Sequence, residues 1–530
     1  MPVARNASHP ATAAPTRGLA DDLLLLALGT LLLLLGLGSY PLWDPGEGRS
    51  ALVTREMADA GRWLVPLLYG DPYYHKPAPF FALLRAFQAA FGVNELALRL
   101  PSALATIATA VLLRRFARAR AGRRTALAAG VIYLTSPEVV ALGRFCNFDA
   151  TLSLCVTWAT TAWLSWLDDR RATPWSAWAA IGCGVLVKGP VALVLPILVA
   201  ASSAWRRGVV REAARAARPL RGMLLVSLLV LPWLGPALIA DPDYVRTFLV
   251  RHNFERYASS GFAHVRGPLY FVPALFAGFF PWSLLLPAAA RAVRWRGPSA
   301  DAAIWAGAVI GFFSLGQAKL ATYVLPAFPA LSLWLAIALA DAQASAEPRV
   351  VRLLRAAALP WTAILVALPF AAAAYAWFTY PELLRAALAA WALPIVGWLA
   401  YRRLAGARFA VSAVALAFAA ANVVALTSFY LRAAPFVSRT TSDAALAAAA
   451  RATGLPVIAY RIQPASFAWY FGTPIQRTSD AQSIARAART GTVLVVTRER
   501  YAGGLRSAGI TPRTWLDTRR HLLYATGPVP

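Results

Sequence analysis

Lysine is the scarce cation of this chain. Of 52 lysines and arginines only three are lysine: Lys76, Lys188 and Lys319. An ammonium is a compact charge that can give up its proton, whereas a guanidinium is a permanently charged planar fork. Two of the three are flanked by backbone-bending residues, in His75-Lys76-Pro77 and Lys188-Gly189-Pro190, and the third opens Lys319-Leu320-Ala321-Thr322-Tyr323. Irregular backbone next to a cation can build an anion pocket, so these lysines are expected around a phosphate. The plainer reading is that they snorkel at helix ends.

The carboxylates that could move a proton follow the same geography. Asp44 and Glu47 occur in Trp43-Asp44-Pro45-Gly46-Glu47-Gly48-Arg49, and Asp149 follows Arg144-Phe145-Cys146-Asn147-Phe148. Such acids suit general base chemistry. Equally, Asp149 could cap a helix and Glu47 could pair with Arg49. Of five histidines, His75, His252 and His264 fall in two long loops. Brought together they could hold a divalent metal such as Zn, Mg or Mn, although no close H-x-x-x-H spacing supports this. Cys146, Cys155 and Cys183 sit in or beside apolar runs and read as small buried hydrophobes.

The elements that must position these residues are membrane helices. The chain has 530 residues, 59% hydrophobic and only 14% charged. Runs such as Leu23 to Leu37 and Phe409 to Leu431 approach or exceed the roughly 18 apolar residues of a spanning helix. Thirteen spans are predicted near 22–41, 97–114, 125–142, 149–167, 174–187, 190–205, 222–240, 269–289, 302–317, 322–340, 356–378, 384–401 and 409–430. The N-terminal run is longer than a signal h-region and reads as the first span. The segment from Ala78 to Val93 is short and carries Arg85, which suits an interfacial helix.

The net charge of +28 is not a nucleic-acid signature, because the arginines form no single basic domain. They cluster after every even-numbered span, as in Arg114 to Arg124, Arg206 to Arg221 and Arg402 to Arg408. Those loops are therefore cytoplasmic. All three lysines then fall at the opposite ends of their helices. That outer side also carries loops 42–96 and 241–268 and everything after residue 430. The division is a cytoplasmic tail 1–21, a transmembrane domain 22–430 and an outer α/β domain 431–530. In the last, Thr441 to Thr453 and Ser479 to Arg489 read as helices, and Pro456 to Tyr460 and Thr492 to Thr497 as buried strands.

In order and spacing, several motifs resemble the bacterial aminoarabinose transferase branch of the polyprenyl-phosphate-dependent glycosyltransferases, relatives of the protein O-mannosyltransferases. They are Asp44-Pro45-Gly46-Glu47-Gly48-Arg49, Arg55-Glu56-Met57, Tyr73-Tyr74-His75-Lys76-Pro77, Arg99-Leu100-Pro101-Ser102, Asp149, Lys188-Gly189-Pro190, His252, Arg266-Gly267-Pro268 to Pro281-Trp282, and Lys319 to Pro326.

The resemblance implies a GT-C fold of about thirteen transmembrane helices with a C-terminal periplasmic α/β domain. It implies an inner-membrane glycosyltransferase whose site faces the periplasm. The donor would be a sugar on undecaprenyl phosphate, with 4-amino-4-deoxy-L-arabinose a candidate. The acceptor would be lipid A or another glycolipid or protein, with membrane lipids as the surroundings. Lys76 and Tyr323 would meet the donor phosphate and Arg49 would position it. Tyr73, Lys188 and Lys319 are expected beside them, with Asp44, Glu47 and Asp149 as the catalytic acids. Two departures stand out: Gly46 replaces the family's first-loop acid, and His75 replaces the Glu before the lysine. A flippase of lipid-linked sugars and an inactive lipid-sugar-binding homologue are the alternatives.

Overall fold

The computed structural model describes residues 15–345 apart from 171–172, 259–260, 262–263 and 293–296. It also describes 411–529 apart from 511–512 and 519, and scattered positions between 352 and 378. The expected spans 356–378 and 384–401 lie outside the described residues, save for those scattered positions. Five described helices are long and apolar enough to cross a membrane, or up to seven if each of two bent pairs is one span.

Those bent pairs correct two predicted spans. The expected helix 125–142 is Arg123–Leu134 followed by Pro137–Gly143, turned by 64°. Proline offers no N–H and drives the residue before it out of the helical region, and Ser136 is extended at φ −76°, ψ 128°. The expected helix 269–289 is Pro268–Gly278 followed by Trp282–Arg291, turned by 111° around Pro281. Broken helices free carbonyls that hydrocarbon cannot satisfy. Here the two breaks meet: Asn422 Nδ2 donates to Thr135 O at 2.7 Å and Phe280 O at 3.0 Å. Trp282 Nε1 donates to Thr135 Oγ1 at 3.1 Å.

The first helix, Pro15–Gly29, begins earlier than expected and takes Asp21 and Asp22 into its buried face. Arginines of the basic loop neutralise them, Arg123 at 2.7 Å from Asp21 and Arg114 at 2.6 Å from Asp22. Ala78–Phe91 is a 14-residue helix burying Phe80, Phe81 and Leu84.

Loop 42–96 is organised by one buried ion pair. Arg99 and Glu47 are both 0% exposed. The guanidinium donates from Nε and Nη2 to the two Glu47 oxygens, at 2.8 and 2.7 Å. Its remaining bonds go to the carbonyls of Leu37, Tyr40 and Pro41. Glu47 also accepts from the Trp43 and Cys146 amides. One pair thus joins the end of the first span, the first-loop helix Gly46–Asp59 and the turn before Asp149. Glu47 is corrected from catalytic acid, or partner of Arg49, to this tie.

In the first loop β1 (Leu67–Leu68) and β2 (Asp71–Pro72) pair antiparallel. The C-terminal segment forms a five-stranded sheet of β3 (Val457–Tyr460), β4 (Gln476–Thr478), β5 (Leu494–Thr497), β6 (Arg513–Asp517) and β7 (Leu522–Ala525), in the spatial order β4-β3-β5-β7-β6. β3 pairs in parallel with β4 and β5, and β7 pairs antiparallel with β5 and β6. β3 and β5 are buried at every residue, so both faces of the sheet are covered. Helices Ala444–Thr453 and Ala481–Thr490 occupy the stretches where the sequence shows helical spacing.

Removing one partner of a buried pair leaves an uncompensated charge at a cost of about 3–5 kcal/mol. Glu47→Ala should therefore lower the unfolding temperature in detergent markedly and reduce membrane insertion. An unchanged melting curve, with activity alone lost, would return Glu47 to the chemistry.

Candidate active site

A cavity of about 330 Å³ opens where several helices end. Lys76, Lys188, Arg256, His75, His252 and Tyr323 line it, and Val191, Phe248, Phe312 and Phe313 form its apolar wall. The side chains of Val194 and Phe254 in the same lining are exposed.

Each charged group is placed by a local rule. Asn147 caps helix Phe148–Asp168, its side chain accepting from Asp149 N at 2.7 Å and Ala150 N at 3.0 Å. Asp149 is thereby relieved of capping, and its carboxylate forms an ion pair with Lys188. Lys188 ends helix Trp175–Lys188, which Gly189 closes at φ +93°. Only glycine adopts that conformation without strain, and a Cβ there would come within 2.8 Å of the Phe248 ring. Lys188 Nζ stands 4.9 Å over the Tyr323 ring, and Lys76 Nζ 5.4 Å over Phe148. The Tyr244 hydroxyl holds the Lys76 carbonyl at 3.0 Å.

The first-loop helix brings Arg49 to the Tyr73 hydroxyl, and the Tyr73 ring stacks on His75 at 4.9 Å. Burial, then the Lys188 ammonium, pushes the Lys76 pKa down to about 7. His75 and His252 fall to about 4, mainly through desolvation and then through each other or Lys76. Both imidazoles are therefore neutral at physiological pH, where Lys76 is only partly charged.

The structure redistributes the other expected site residues. Lys319 is 4% exposed, and its ammonium donates to the carbonyls of Arg266, at 2.9 Å, and Gly316. It braces the loop beneath Tyr323 instead of meeting a donor. Asp44 is engaged by the Ser466 hydroxyl and amide of the C-terminal domain. Its pKa is raised by burial and by Asp443. A Cβ on Gly46 would meet the Phe145 ring at 2.9 Å, so an aromatic edge fills the place of the family's acid.

His75 and His252 do come together, with centroids 4.1 Å apart. His264 does not join them in the cavity lining; its carbonyl accepts from Lys319 N. Among the described residues no group of three or more His, Cys, Asp or Glu is placed to hold a metal ion, so the histidine trio is corrected to a stacked pair. Arg256 was missed in the sequence. In an arginine-rich chain its type carries no signal, and only its place in loop 241–268, on the side of the lysines, distinguishes it.

A family model described as dolichyl-phosphate-mannose-protein mannosyltransferase matches residues 75–235. An undecaprenyl phosphate-alpha-4-amino-4-deoxy-L-arabinose arabinosyl transferase of Pseudomonas fluorescens is 32% identical over 351 residues, 63% of this chain and 62% of that protein. Its counterpart from Shewanella sediminis is 32% identical over 319 residues, 58% of this chain and 57% of that protein. The chain thus spans less than two thirds of the length of these curated relatives. The crystal structure of ArnT from Cupriavidus metallidurans bound to undecaprenyl phosphate superposes with a TM-score of 0.77 at 21% identity, covering 97% of this chain and all of that one. The chain is similar in sequence to aminoarabinose transferases and shares the fold of this ArnT. That fold is polytopic and helical.

The depressed pKa of Lys76 gives a directional expectation. Below pH about 7 Lys76 carries its charge, and above it the charge is lost. The affinity of a lipid phosphodiester, whose own charge is constant in this range, should fall as pH rises from 6 to 9. Lys76→Arg should flatten that dependence, since a guanidinium stays charged throughout. A dependence identical in wild type and Lys76→Arg would assign the titration elsewhere.

Proposed function

We propose that this chain is an inner-membrane glycosyltransferase that moves a sugar from a polyprenyl phosphate to an acceptor on the periplasmic face. The observation that carries this reading is the convergence of Lys76, Lys188 and Arg256 in one cavity with an apolar wall. A phosphate suits the cations. A polyprenyl chain suits Val191, Phe312 and Phe313, with the exposed Val194 and Phe254 on the lipid side. Undecaprenyl phosphate is the donor carrier named for its relatives, and 4-amino-4-deoxy-L-arabinose is the sugar their names point to.

In the reaction an acceptor oxygen attacks the anomeric carbon. The bond from that carbon to the phosphate oxygen breaks, and polyprenyl phosphate departs with the electron pair. Charge that builds on the leaving phosphate is met by Lys76, Lys188 and Arg256, placed before the reaction begins. Arg49, through Tyr73, holds the near edge of the donor. Asp149 stands next to Lys188 and takes the proton of a hydroxyl acceptor; an acceptor phosphate, as on lipid A, is already anionic and needs no base.

A flippase would carry its ionisable groups near the bilayer midplane. Here they gather at helix ends. The test is transfer of radiolabelled sugar from a synthetic polyprenyl phosphate donor to lipid A by the purified chain. Lys76→Ala should slow turnover by roughly 10²–10³, the cost of one preorganised stabilising group. Movement of the lipid-linked sugar across vesicles with no new glycoside would establish the flippase instead. Donor binding without either outcome would establish an inactive homologue.

A further inference from the structure

A second cluster of buried titratable groups lies where the C-terminal domain meets the first-loop helix. His521 Nδ1 bonds both oxygens of Asp443 at 2.9 and 2.8 Å. Asp443 Oδ2 is 3.5 Å from the Ser466 hydroxyl, and that hydroxyl also donates to Asp44. Asp443 and Ser466 are 0% exposed and His521 2%. This is not a hydrolytic triad. The imidazole bonds the carboxylate and not the serine, so it does not stand ready to take the hydroxyl proton.

What the cluster does is join segments that are far apart in sequence. Asp443 precedes helix Ala444–Thr453, Ser466 lies on helix Ala465–Phe471, and His521 precedes β7. Asp44, the fourth member, immediately precedes the turn into helix Gly46–Asp59.

The junction extends beyond these four residues. The Leu42 amide donates to the Tyr470 hydroxyl at 2.8 Å, and that hydroxyl donates to Glu95 at 2.8 Å. Ser438 Oγ donates to Pro41 O at 2.7 Å. Arg55, at the far end of the first-loop helix, donates to the Trp469 carbonyl and lies 5.3 Å from its ring centroid. The approach is closest at Gly48. A Cβ there would stand 2.2 Å from Asp44 Oδ1 and 2.6 Å from the Ser466 amide nitrogen. The next residue is Arg49.

We propose that the C-terminal α/β domain is a positioning element of the donor site: it clamps helix Gly46–Asp59 through Asp44, Gly48 and Ser466, with Asp443 and His521 setting the serine, and thereby presents Arg49 to Tyr73 and the cavity. This rests on the reading that Arg49 belongs to the donor site. Ser466 and His521 touch no substrate in this account. They act through the helix.

The test uses the full-length chain in detergent or nanodiscs, with a synthetic polyprenyl phosphate sugar as donor. Gly48→Ala separates the helix from the domain without altering a polar group, and Ser466→Ala removes only the hydroxyl. Both should raise the donor KM about tenfold, the worth of one hydrogen bond to a charged group, and change kcat much less. Amide exchange should accelerate in residues 46–59, with the remaining helices unaffected.

Arg49→Ala should raise KM similarly, and Gly48→Ala added to Arg49→Ala should add little, since the two act through one contact. If Arg49→Ala raises KM while Gly48→Ala and Ser466→Ala leave KM and exchange at wild-type values, the positioning role is overturned. If the two clamp variants lower active-enzyme yield at constant KM, the junction serves folding alone and the proposal fails. If Arg49→Ala itself leaves donor KM unchanged, it is the donor-site reading that falls.

Discussion

The site is governed by like charges held close together where several helices end. Lys76, Lys188 and Arg256 share one cavity, and the carboxylate ion-paired there is Asp149, bonded to Lys188. Cations so placed repel one another, and each is partly withdrawn from water, which raises the cost of every charge. The fold sustains this through rigid supports. A glycine-closed helix end carries Lys188, an asparagine cap frees Asp149, and a tyrosine hydroxyl holds the Lys76 backbone. An anionic ligand relieves the repulsion, so the strain of the site is also its selectivity.

Around that cavity, backbone that is not helical must be satisfied within the protein. The two broken helices are possible because Asn422 bonds a carbonyl at each break and Trp282 bonds the Thr135 hydroxyl at the first. Lys319 serves the same purpose at the loop before Tyr323, its ammonium spent on carbonyls. The buried Arg99–Glu47 pair does it for loop 42–96. In each case a polar residue that looks available for chemistry in the sequence supports a piece of irregular backbone.

That distinction marks how far the sequence could be read. Apolar length and arginine clustering disclose a polytopic membrane protein and the side on which Lys76, Lys188, His75 and Asp149 gather. Alternating and continuous apolar runs disclose two of the outer-domain strands. The helix breaks at Pro137 and Pro281 were passed over because both lie in runs apolar enough to span. Glu47 and Lys319 were misassigned because residue type and position along the chain do not reveal a partner 52 residues away or a carbonyl folded back within hydrogen-bond reach. Arg256 was invisible among arginines. The resemblance to the aminoarabinose transferases compensated in part, pointing to Tyr323, which lines the cavity, where periodicity is silent.

The central claim is that the cations of one outer cavity bind the phosphate of a lipid carrier. It is tested most directly by an experimental structure of this chain with undecaprenyl phosphate bound. The account predicts density for the phosphate between Lys76, Lys188 and Arg256, with the isoprenoid chain leaving along Phe312 and Val194. A phosphate bound among the arginines of the basic loops, or one in the cavity that touches neither lysine, would contradict it.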